Sequence, residues 1–462
     1  MSFLTQITPA PSIRPMFNIG CLMDIPTGTY ELGQYGESIL NAGLAHITGV
    51  GGRGNTFKST ISDFMILRVL DRYLAEALKY DTELSATLAR LAKLSWFAED
   101  KLLTYDMSSG ERMVITDRAI MNGTEFFEKI KEATKYREKP TKDMMATTPF
   151  MTRDKKLISI IIPLLAFIDS LSQFSSANVL KIQDDGGIGD SSRNIEALRD
   201  AGAKAQMLKE LPTLTAKVGM YMIMTAHMGD DLALDPYAPP QKKLGFLKNK
   251  IKFKGVPENF TFLTNNCWVA HNASVMANQS TKAPQFPRDG EDDLKGDTDL
   301  MSVMLQLVRG KFGMSGMTHE IVVSQSDGVH PGLTEFLYLQ SHDRFGITGN
   351  DRSYALDFCP DVTLSRTTVR GKIDSDARVR RALNIQADIL QMSHYWTHLP
   401  KGLLVPPKVL FEDLKAKGYD MDRLLATRPY WTFNNDKHPV PFLSTMDLLR
   451  MRTGEYKPYW WD

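Results

Sequence analysis

The sequence predicts an α/β fold, in which a largely parallel β-sheet is covered by helices. Apolar runs of strand length alternate along the chain with segments of helical period, which is the pattern of this class. In the segment at 59–77 apolar residues recur every three and four positions, which predicts a helix directly after a strand at 44–50. Further strands are expected at 77–80, 113–116, 158–168, 219–225, 260–271, 301–308, 320–324 and 334–339.

The chain is long enough for one large core and a smaller module. With 462 residues and 43% apolar content, a fibrous or disordered protein is excluded. We expect an N-terminal segment at 1–35, a large core domain at 36–370 and a small C-terminal helical module at 371–462. A winged helix is one possible arrangement of that module. Within that module the segments at 379–396 and 406–431 predict helices. In the core, the segments at 139–155 and 230–259 predict long loops.

Charge and cysteine usage restrict the class of protein further. The formal net charge is +1, so any nucleic-acid surface must be local. The cysteines Cys21, Cys267 and Cys359 are far apart, which argues against a disulfide framework or a zinc site and favours a reducing compartment. The longest apolar run, at 158–168, is too short to span a bilayer. We therefore expect a cytoplasmic protein without a membrane partner.

A glycine-rich turn between the first strand and the first helix predicts a phosphate site. Its octamer is GRGNTFKS, in which Lys58 would contact the terminal phosphates of a nucleotide and the Ser59 hydroxyl would hold Mg²⁺. Phe57 stands where the Walker A pattern has glycine, so the motif is imperfect and the loop is expected to deviate there. A chance lysine beside an ordinary glycine-rich turn is the alternative. The residues assigned to the nucleotide are Gly52, Arg53, Gly54, Asn55, Thr56, Phe57, Lys58, Ser59 and Thr60.

Three polar residues at strand ends are candidates for the rest of an ATPase site. Asp169 ends an apolar strand in the manner of a Walker B aspartate and would hold the metal's water shell. Glu83 follows a short strand and would activate the attacking water. His227 ends another buried strand and would sense the γ-phosphate. Each alone has an ordinary structural explanation, as a strand end, a solvated glutamate or a satisfied polar group.

A lysine-rich segment at 241–255 indicates binding to single-stranded DNA. It interleaves Phe246 and Phe253 with lysines and contains no acidic residue, which combines phosphate contacts with aromatic rings for base stacking. A solvated surface loop is the alternative. The lysines are Lys242, Lys243, Lys248, Lys250, Lys252 and Lys254.

In order and spacing, these motifs resemble the RecA-like recombinases and their relatives, the DnaB-type hexameric helicases and KaiC-type ATPases. The resemblance covers roughly residues 24–339 and includes the DTE at 81–83, the DSLS at 169–172 and the GGIGDSSR at 186–193. It implies a RecA-like P-loop core that binds ATP and Mg²⁺. It also implies a first DNA loop formed by Ile188, Gly189, Asp190, Ser191 and Arg193, and a hairpin whose Arg309 and Lys311 reach the neighbouring subunit's ATP. The family's sensor is normally glutamine, so His227 departs from it.

The function expected from the resemblance is an ATP-dependent recombinase that coats single-stranded DNA as a head-to-tail homo-oligomer, either a filament or a hexameric ring. One alternative is a ring-shaped replicative helicase or translocase, which the hairpin FGMSGMTHEI also resembles. Another is a DNA-binding accessory protein that hydrolyses ATP weakly because of Phe57. The divergent motifs would suit a bacteriophage protein that acts in the host cytoplasm.

Overall fold

The computed structural model describes residues 14–95, 102–104, 112–177, 179–180, 192–230, 251–288, 297–350 and 352–462. Within these residues the strands β1 to β18 span, in chain order, Thr29–Leu32, Ser38–Asn41, Ile47–Gly52, Glu76–Asp81, Leu102–Thr104, Met113–Asp117, Met145–Met151, Leu157–Ile161, Leu164–Asp169, Met220–Asp230, Ile251–Phe253, Asn266–Val275, Leu300–Gly310, Thr318–Ser324, Gly328–Val329, Ile347–Asn350, Ser353–Leu356 and Cys359–Leu364.

The central sheet has the order β15-β14-β13-β12-β3-β10-β9-β4-β6-β5. The seven strands from β12 to β5 pair in parallel, whereas β13, β14 and β15 extend one edge in antiparallel fashion. The short strand β11 adds to the end of β10, also antiparallel. The predicted α/β class with a largely parallel sheet is therefore confirmed. Separate small sheets are formed by β1-β2, β7-β8 and β16-β17-β18.

Helices cover the sheet and form most of the C-terminal region. The α-helices α1 to α11 span Lys58–Arg72, Leu88–Ser95, Gly123–Arg137, Ser192–Val218, Asn259–Leu263, Pro331–Ser341, Val369–Ser375, Ala377–Tyr395, Pro407–Ala416, Met421–Leu425 and Thr445–Thr453. The expected helix after the first strand is α1, and those of the C-terminal module are α8, α9 and α10. Short 3-10 turns lie at Ile25–Thr27, Lys142–Met144 and Asn435–Lys437.

Alternate residues of the central strands enter two different cores, because side chains of a strand point to opposite faces. Leu165 and Phe167 of β9 belong to the core on the α1 face. Ala166 and Ile168 pack instead with α3 and α4 on the other face. This double burial explains why the central strands appear in the sequence as nearly continuous apolar runs.

The C-terminal helices share cores with the rest of the chain. Apolar residues of α8, α9 and α11 pack with α6 and the β16-β17-β18 sheet. Trp431 lies in the α1-side core, with its ring 4.6 Å from that of Tyr73 and 5.6 Å from that of Phe17. The expected boundary at 370 falls inside α7 (Val369–Ser375), so the chain continues across it without a linker.

Two predictions around Pro163 were wrong. The run at 158–168 is two strands, because Ile162 and Pro163 separate β8, which belongs to a hairpin, from β9, which belongs to the central sheet. The segment at 139–155, predicted as a loop, forms much of that hairpin as β7 (Met145–Met151). Its buried residues Ala146, Thr148 and Phe150 alternate along the strand, and this was the signal to read.

Two further runs contain helices where strands were predicted. The run at 260–271 begins in α5 (Asn259–Leu263) and only then enters β12. The run at 334–339 belongs to α6 (Pro331–Ser341), which starts with a proline at its first position and is capped by His330. Short apolar runs fit either structure, and the proline decides this one.

No helix in the described part of the chain is long and apolar enough to cross a membrane. The three cysteines are buried free thiols.

Candidate nucleotide site at the carboxyl edge of the sheet

The carboxyl ends of four neighbouring strands bring the predicted catalytic residues together. In the sheet order, β3 is followed by β10, β9 and β4. His227 is opposite Gly52 in the parallel register, and Asp81 is opposite Asp169. Open α/β sheets bind ligands outside this edge, so the fold places the candidate residues where a ligand would lie.

The loop at 52–57 leads into the start of α1, where Lys58 is the first helical residue. No side chain caps this helix and its first turn has no acidic residue, so its first N–H groups and its dipole favour an anion. A Cβ on Gly52 would lie 2.3 Å from Thr56 Oγ1, which requires glycine. Phe57 adopts the left-handed conformation, with φ of 60°. Glycine is suited to that conformation, and phenylalanine is strained in it.

Lys58, Glu83 and His227 form one polar group above this edge. Lys58 Nζ lies 3.8 Å from Glu83 Oε1, and His227 Nε2 lies 2.7 Å from the same oxygen. Partial burial opposes ionisation of Glu83, but the Lys58 charge and the His227 hydrogen bond outweigh it and hold its pKa below the ordinary value. The Glu83 side chain remains 28% exposed. It is thus a carboxylate that favours its ionised form and that solvent can reach.

Asp169 is held by two hydroxyl groups. Ser59 Oγ donates to Asp169 Oδ1 at 3.1 Å, and Thr225 Oγ1 donates to the same oxygen at 2.5 Å. Thr225 was missed from the sequence, although it lies two residues before His227 and hence on the same face of β10.

The donor set at Asp169 fits Mg²⁺, which prefers oxygen ligands and keeps several waters and substrate phosphates. Among the described residues no three His, Cys, Asp or Glu side chains form a metal cluster. Ser59 and Asp169 could therefore hold the ion only together with a bound phosphate chain. This is the usual arrangement for Mg²⁺ at nucleotide sites.

Asp81 holds the turn that carries Glu83. Its carboxylate accepts hydrogen bonds from the backbone N–H groups of Glu83, Ser85 and Ala86, at 3.0, 2.7 and 2.6 Å. The sequence marked this aspartate only as part of a motif. The structure gives it a role, since loss of these bonds would release the turn.

Thr82 fastens the end of β4 to the end of β9. Its hydroxyl oxygen accepts from the Ser170 N–H at 2.7 Å and donates to the Ser170 carbonyl at 3.1 Å. Its own N–H donates to the Asp169 carbonyl at 2.7 Å. These bonds link the strand ends that carry Glu83 and Asp169.

A buried lysine lies beneath Asp169 and was also missed. Lys79 is 2% exposed, and its Nζ lies 2.7 Å from Asp63 Oδ1, 4.0 Å from Asp169 Oδ2 and 4.8 Å from the centre of the Phe167 ring. Burial opposes the charge on Lys79, but the carboxylates of Asp63 and Asp169 outweigh it and raise the lysine pKa. The signal in the sequence was a lysine between the apolar residue Leu78 and the aromatic residue Tyr80 within β4.

The His227 strand end is connected to the elements that flank the predicted DNA loops. The His227 N–H donates to Ser172 Oγ at 2.8 Å, and that hydroxyl donates to the Lys254 carbonyl at 2.7 Å. The buried Lys204 of α4 donates to the Gly255 carbonyl at 2.9 Å and pairs with Asp200 at 2.7 Å.

Only part of the predicted DNA surface lies within the described residues. Lys252 and Lys254 are exposed on and just after β11, and Arg193 is the second residue of α4. Phe253 is half-buried, with its ring 5.3 Å from that of Phe260, so it packs inward rather than presenting a face for base stacking. Outside the described residues lie Ile188, Gly189, Asp190, Ser191, Lys242, Lys243, Phe246, Lys248 and Lys250.

Arg309 and Lys311 are not brought to the nucleotide site of their own chain. Arg309 of β13 pairs with Cys267 of β12, which in turn pairs with Gly49 of β3. Gly49 lies three residues, roughly 10 Å, before the carboxyl end of β3 at Gly52. The Lys311 N–H donates to the Asn265 carbonyl, still closer to the amino end. Partial burial and the neighbouring Arg309 charge lower the Lys311 pKa. Any contact of these residues with ATP would have to be with another subunit's ATP.

No protein-family model matches this chain, and no curated protein is similar to it in sequence.

Proposed function

We propose that this protein is an ATPase of the RecA-like P-loop class that binds single-stranded DNA and acts in homologous pairing and strand exchange. The observation that carries the proposal is the convergence of Lys58, Glu83 and His227 at one sheet edge, with Glu83 Oε1 3.8 Å from Lys58 Nζ and 2.7 Å from His227 Nε2. The start of α1 and the Ser59–Asp169 pair lie at the same edge.

In this proposal the polyphosphate lies on the N–H groups at the start of α1, and the Lys58 ammonium contacts its terminal phosphates. Ser59 and Asp169 hold Mg²⁺, which when bound neutralises charge on the phosphates. The ionised Glu83 carboxylate accepts a proton from the water that attacks the γ-phosphorus. The bond to the β–γ bridging oxygen breaks, and ADP and phosphate leave.

His227 couples this chemistry to DNA in the proposal. Its side chain touches Glu83, and its backbone is bonded to Ser172 and Lys254. A change in the γ-phosphate would therefore displace β11, which lies within the lysine-rich segment at 241–255. Nucleotide-dependent ordering of such segments is a known type of switch.

The positions of Arg309 and Lys311 favour a head-to-tail assembly. They lie toward the amino end of the parallel strands, whereas the nucleotide site lies at the carboxyl end. Heterologous contacts between opposite ends of one subunit produce either a ring or a filament. Each ATP would then receive Lys58 and Glu83 from one subunit and Arg309 from the next.

A ring helicase or translocase is the second candidate. The hairpin between β13 and β14 favours it, because Phe312 and Met314 at its tip are 49% and 53% exposed and available to a neighbouring subunit. Filaments use such repeated contacts as well, so what favours the helicase is the resemblance of this hairpin to that of the hexameric helicases.

The test is steady-state ATP hydrolysis without DNA, with single-stranded DNA and with duplex DNA. We expect strong stimulation by single strands, and strand exchange without helicase activity. Hydrolysis that ignores DNA would refute the DNA function while leaving the ATPase, and unwinding without exchange would favour the ring helicase.

A further inference from the structure

Two charged residues outside the predicted set lie directly beneath the metal-binding aspartate. Asp63 is in the second turn of α1 and Lys79 is on β4, and both are buried with Asp169 between helix and sheet. The Lys79 ammonium is in hydrogen-bond contact with Asp63 Oδ1 at 2.7 Å but remains 4.0 Å from Asp169 Oδ2. A buried cation thus lies next to the carboxylate that would hold a second cation.

Lys79 and Asp63 have opposite effects on the binding of a metal ion at Asp169. The Lys79 charge repels Mg²⁺, and a direct Lys79–Asp169 ion pair would also occupy an oxygen that the metal's water shell needs. Asp63 counters both effects, because it partly neutralises the lysine and is its closer partner. Asp169 Oδ1 is already engaged by Ser59 and Thr225, which leaves Oδ2 as the contested oxygen.

We propose that Asp63 and Lys79 are positioning residues that set the Mg²⁺ affinity of the nucleotide site, with Asp63 holding the Lys79 ammonium away from Asp169. The inference rests on the proposed nucleotide function and deepens it. Neither residue touches the nucleotide; both act through Asp169. Because a buried charge needs a partner, Lys79 turns to Asp169 when Asp63 is lost.

The experiment measures binding of a fluorescent ADP analogue to the full-length protein at increasing Mg²⁺ concentration. ADP avoids turnover, and titration without metal gives the affinity that does not depend on the ion. Asp63→Asn is expected to raise the Mg²⁺ midpoint about tenfold, a typical effect for residues behind a metal ligand, with metal-free binding unchanged.

The double variant Asp63→Asn/Lys79→Met distinguishes an effect through the lysine from a direct effect of Asp63. With the competing cation removed, the midpoint should return to within about twofold of the wild-type value. If the double variant is as weak as Asp63→Asn, Asp63 does not act through Lys79 and the proposal is overturned. Lys79→Met alone should lower the midpoint, and this keeps the test open if Asp63→Asn does not fold.

Asp200→Asn is the matched control. It removes the 2.7 Å partner of Lys204, another lysine that is 2% exposed, but one whose bonds lead to Ser172 and Gly255 rather than to Asp169. It should leave the Mg²⁺ midpoint unchanged. Unshifted midpoints in Asp63→Asn and Lys79→Met, in a protein that binds ADP with Mg²⁺, overturn this inference alone. Metal-independent ADP binding by the wild-type protein overturns it together with the proposed Mg²⁺ site.

Discussion

Carboxyl groups have different surroundings at the carboxyl edge of the sheet and at the contact between α6 and α8. At the edge, Glu83 lies 3.8 Å from Lys58, and its pKa is held below the ordinary value against partial burial. Where α6 packs with α8, Glu335 is buried and Asp388 is half-buried, and they accept hydrogen bonds from the neutral groups of Asn384 and Thr445. There burial raises the pKa of Glu335 to about 8 and that of Asp388 to about 7.

The difference shows which carboxyl groups stay ionised and can take part in catalysis or metal binding. A carboxylate next to a cation stays ionised and can accept a proton or hold a metal's water. A carboxyl group whose hydrogen-bond partners are neutral favours its protonated form, because the charge of the nearby Arg381 only partly offsets the effect of burial on its pKa. Asp169 and Glu335 are both buried, so burial alone does not mark a functional residue. The partner does.

Glu83→Gln would challenge this comparison most strongly. Loss of the proton acceptor should reduce ATP hydrolysis by about 10²- to 10⁴-fold, while ATP binding persists because Lys58 and the start of α1 are unchanged. Turnover and equilibrium binding are measured on the same protein. The exposed Glu132→Gln serves as the control. Loss of binding in Glu83→Gln would mean that the residue is structural.

Arg309→Ala extends the comparison to the opposite end of the sheet. Hydrolysis should fall about 10²- to 10³-fold, because a charge on the transferring phosphoryl group is lost. An equimolar mixture with Glu83→Gln subunits should recover about a quarter of wild-type activity, since one interface in four pairs two intact residues. Mixing Arg309→Ala with the double variant Arg309→Ala/Glu83→Gln should recover none. Absence of rescue in the first mixture would contradict a shared site.

Glu335→Gln tests the carboxyl group whose pKa is raised by burial. Its folded pKa, about 8, exceeds the ordinary 4.5, so the folded chain keeps a proton that the unfolded chain releases as pH rises. The free energy of unfolding therefore decreases as pH rises from 4.5 to about 8. The variant should gain roughly 2–3 kcal/mol relative to wild type between pH 5 and pH 8. Urea unfolding at both pH values measures this, and parallel changes in both proteins would show that Glu335 is ionised in the fold.

The smallest effect concerns the strain at Phe57 beside the nucleotide site. Its φ of 60° costs phenylalanine or alanine about 1 kcal/mol more than glycine. Phe57→Gly should thus be about 1 kcal/mol more stable than Phe57→Ala, because both lose the ring but only glycine relieves the backbone. Chemical denaturation of the two variants measures the difference. Equal stability would show that the loop does not hold this conformation.

Much of the edge of the sheet could be predicted because its residues are local signals. A glycine-rich turn before Lys58 and polar residues at the ends of apolar strands are visible in one sequence, and parallel strands bring such ends together. Thr225, Lys79 and Asp63 could not be found in this way. Their partners come from other elements, which only the sheet order and helix packing bring within 2.5 to 4.0 Å.

The elements predicted wrongly were short apolar runs. The residues at 334–339 fit a strand as well as a helix until Pro331 and the capping His330 are considered. The segment at 139–155 was predicted as a loop, whereas its residues 145–151 form β7 of the hairpin. The raised pKa values of Glu335 and Asp388 were not predictable either, since they depend on packing between distant parts of the chain.

The central claim, that this edge is an ATP site, is tested most directly by equilibrium binding of Mg²⁺–ATP to Lys58→Met and to Lys129→Met. Lys58 is buried next to Glu83, whereas Lys129 is an exposed lysine paired with Glu132. We expect about 100-fold weaker binding for Lys58→Met, because the buried ammonium that would contact the terminal phosphates is removed, and wild-type affinity for Lys129→Met. Equal affinity in both variants would contradict it.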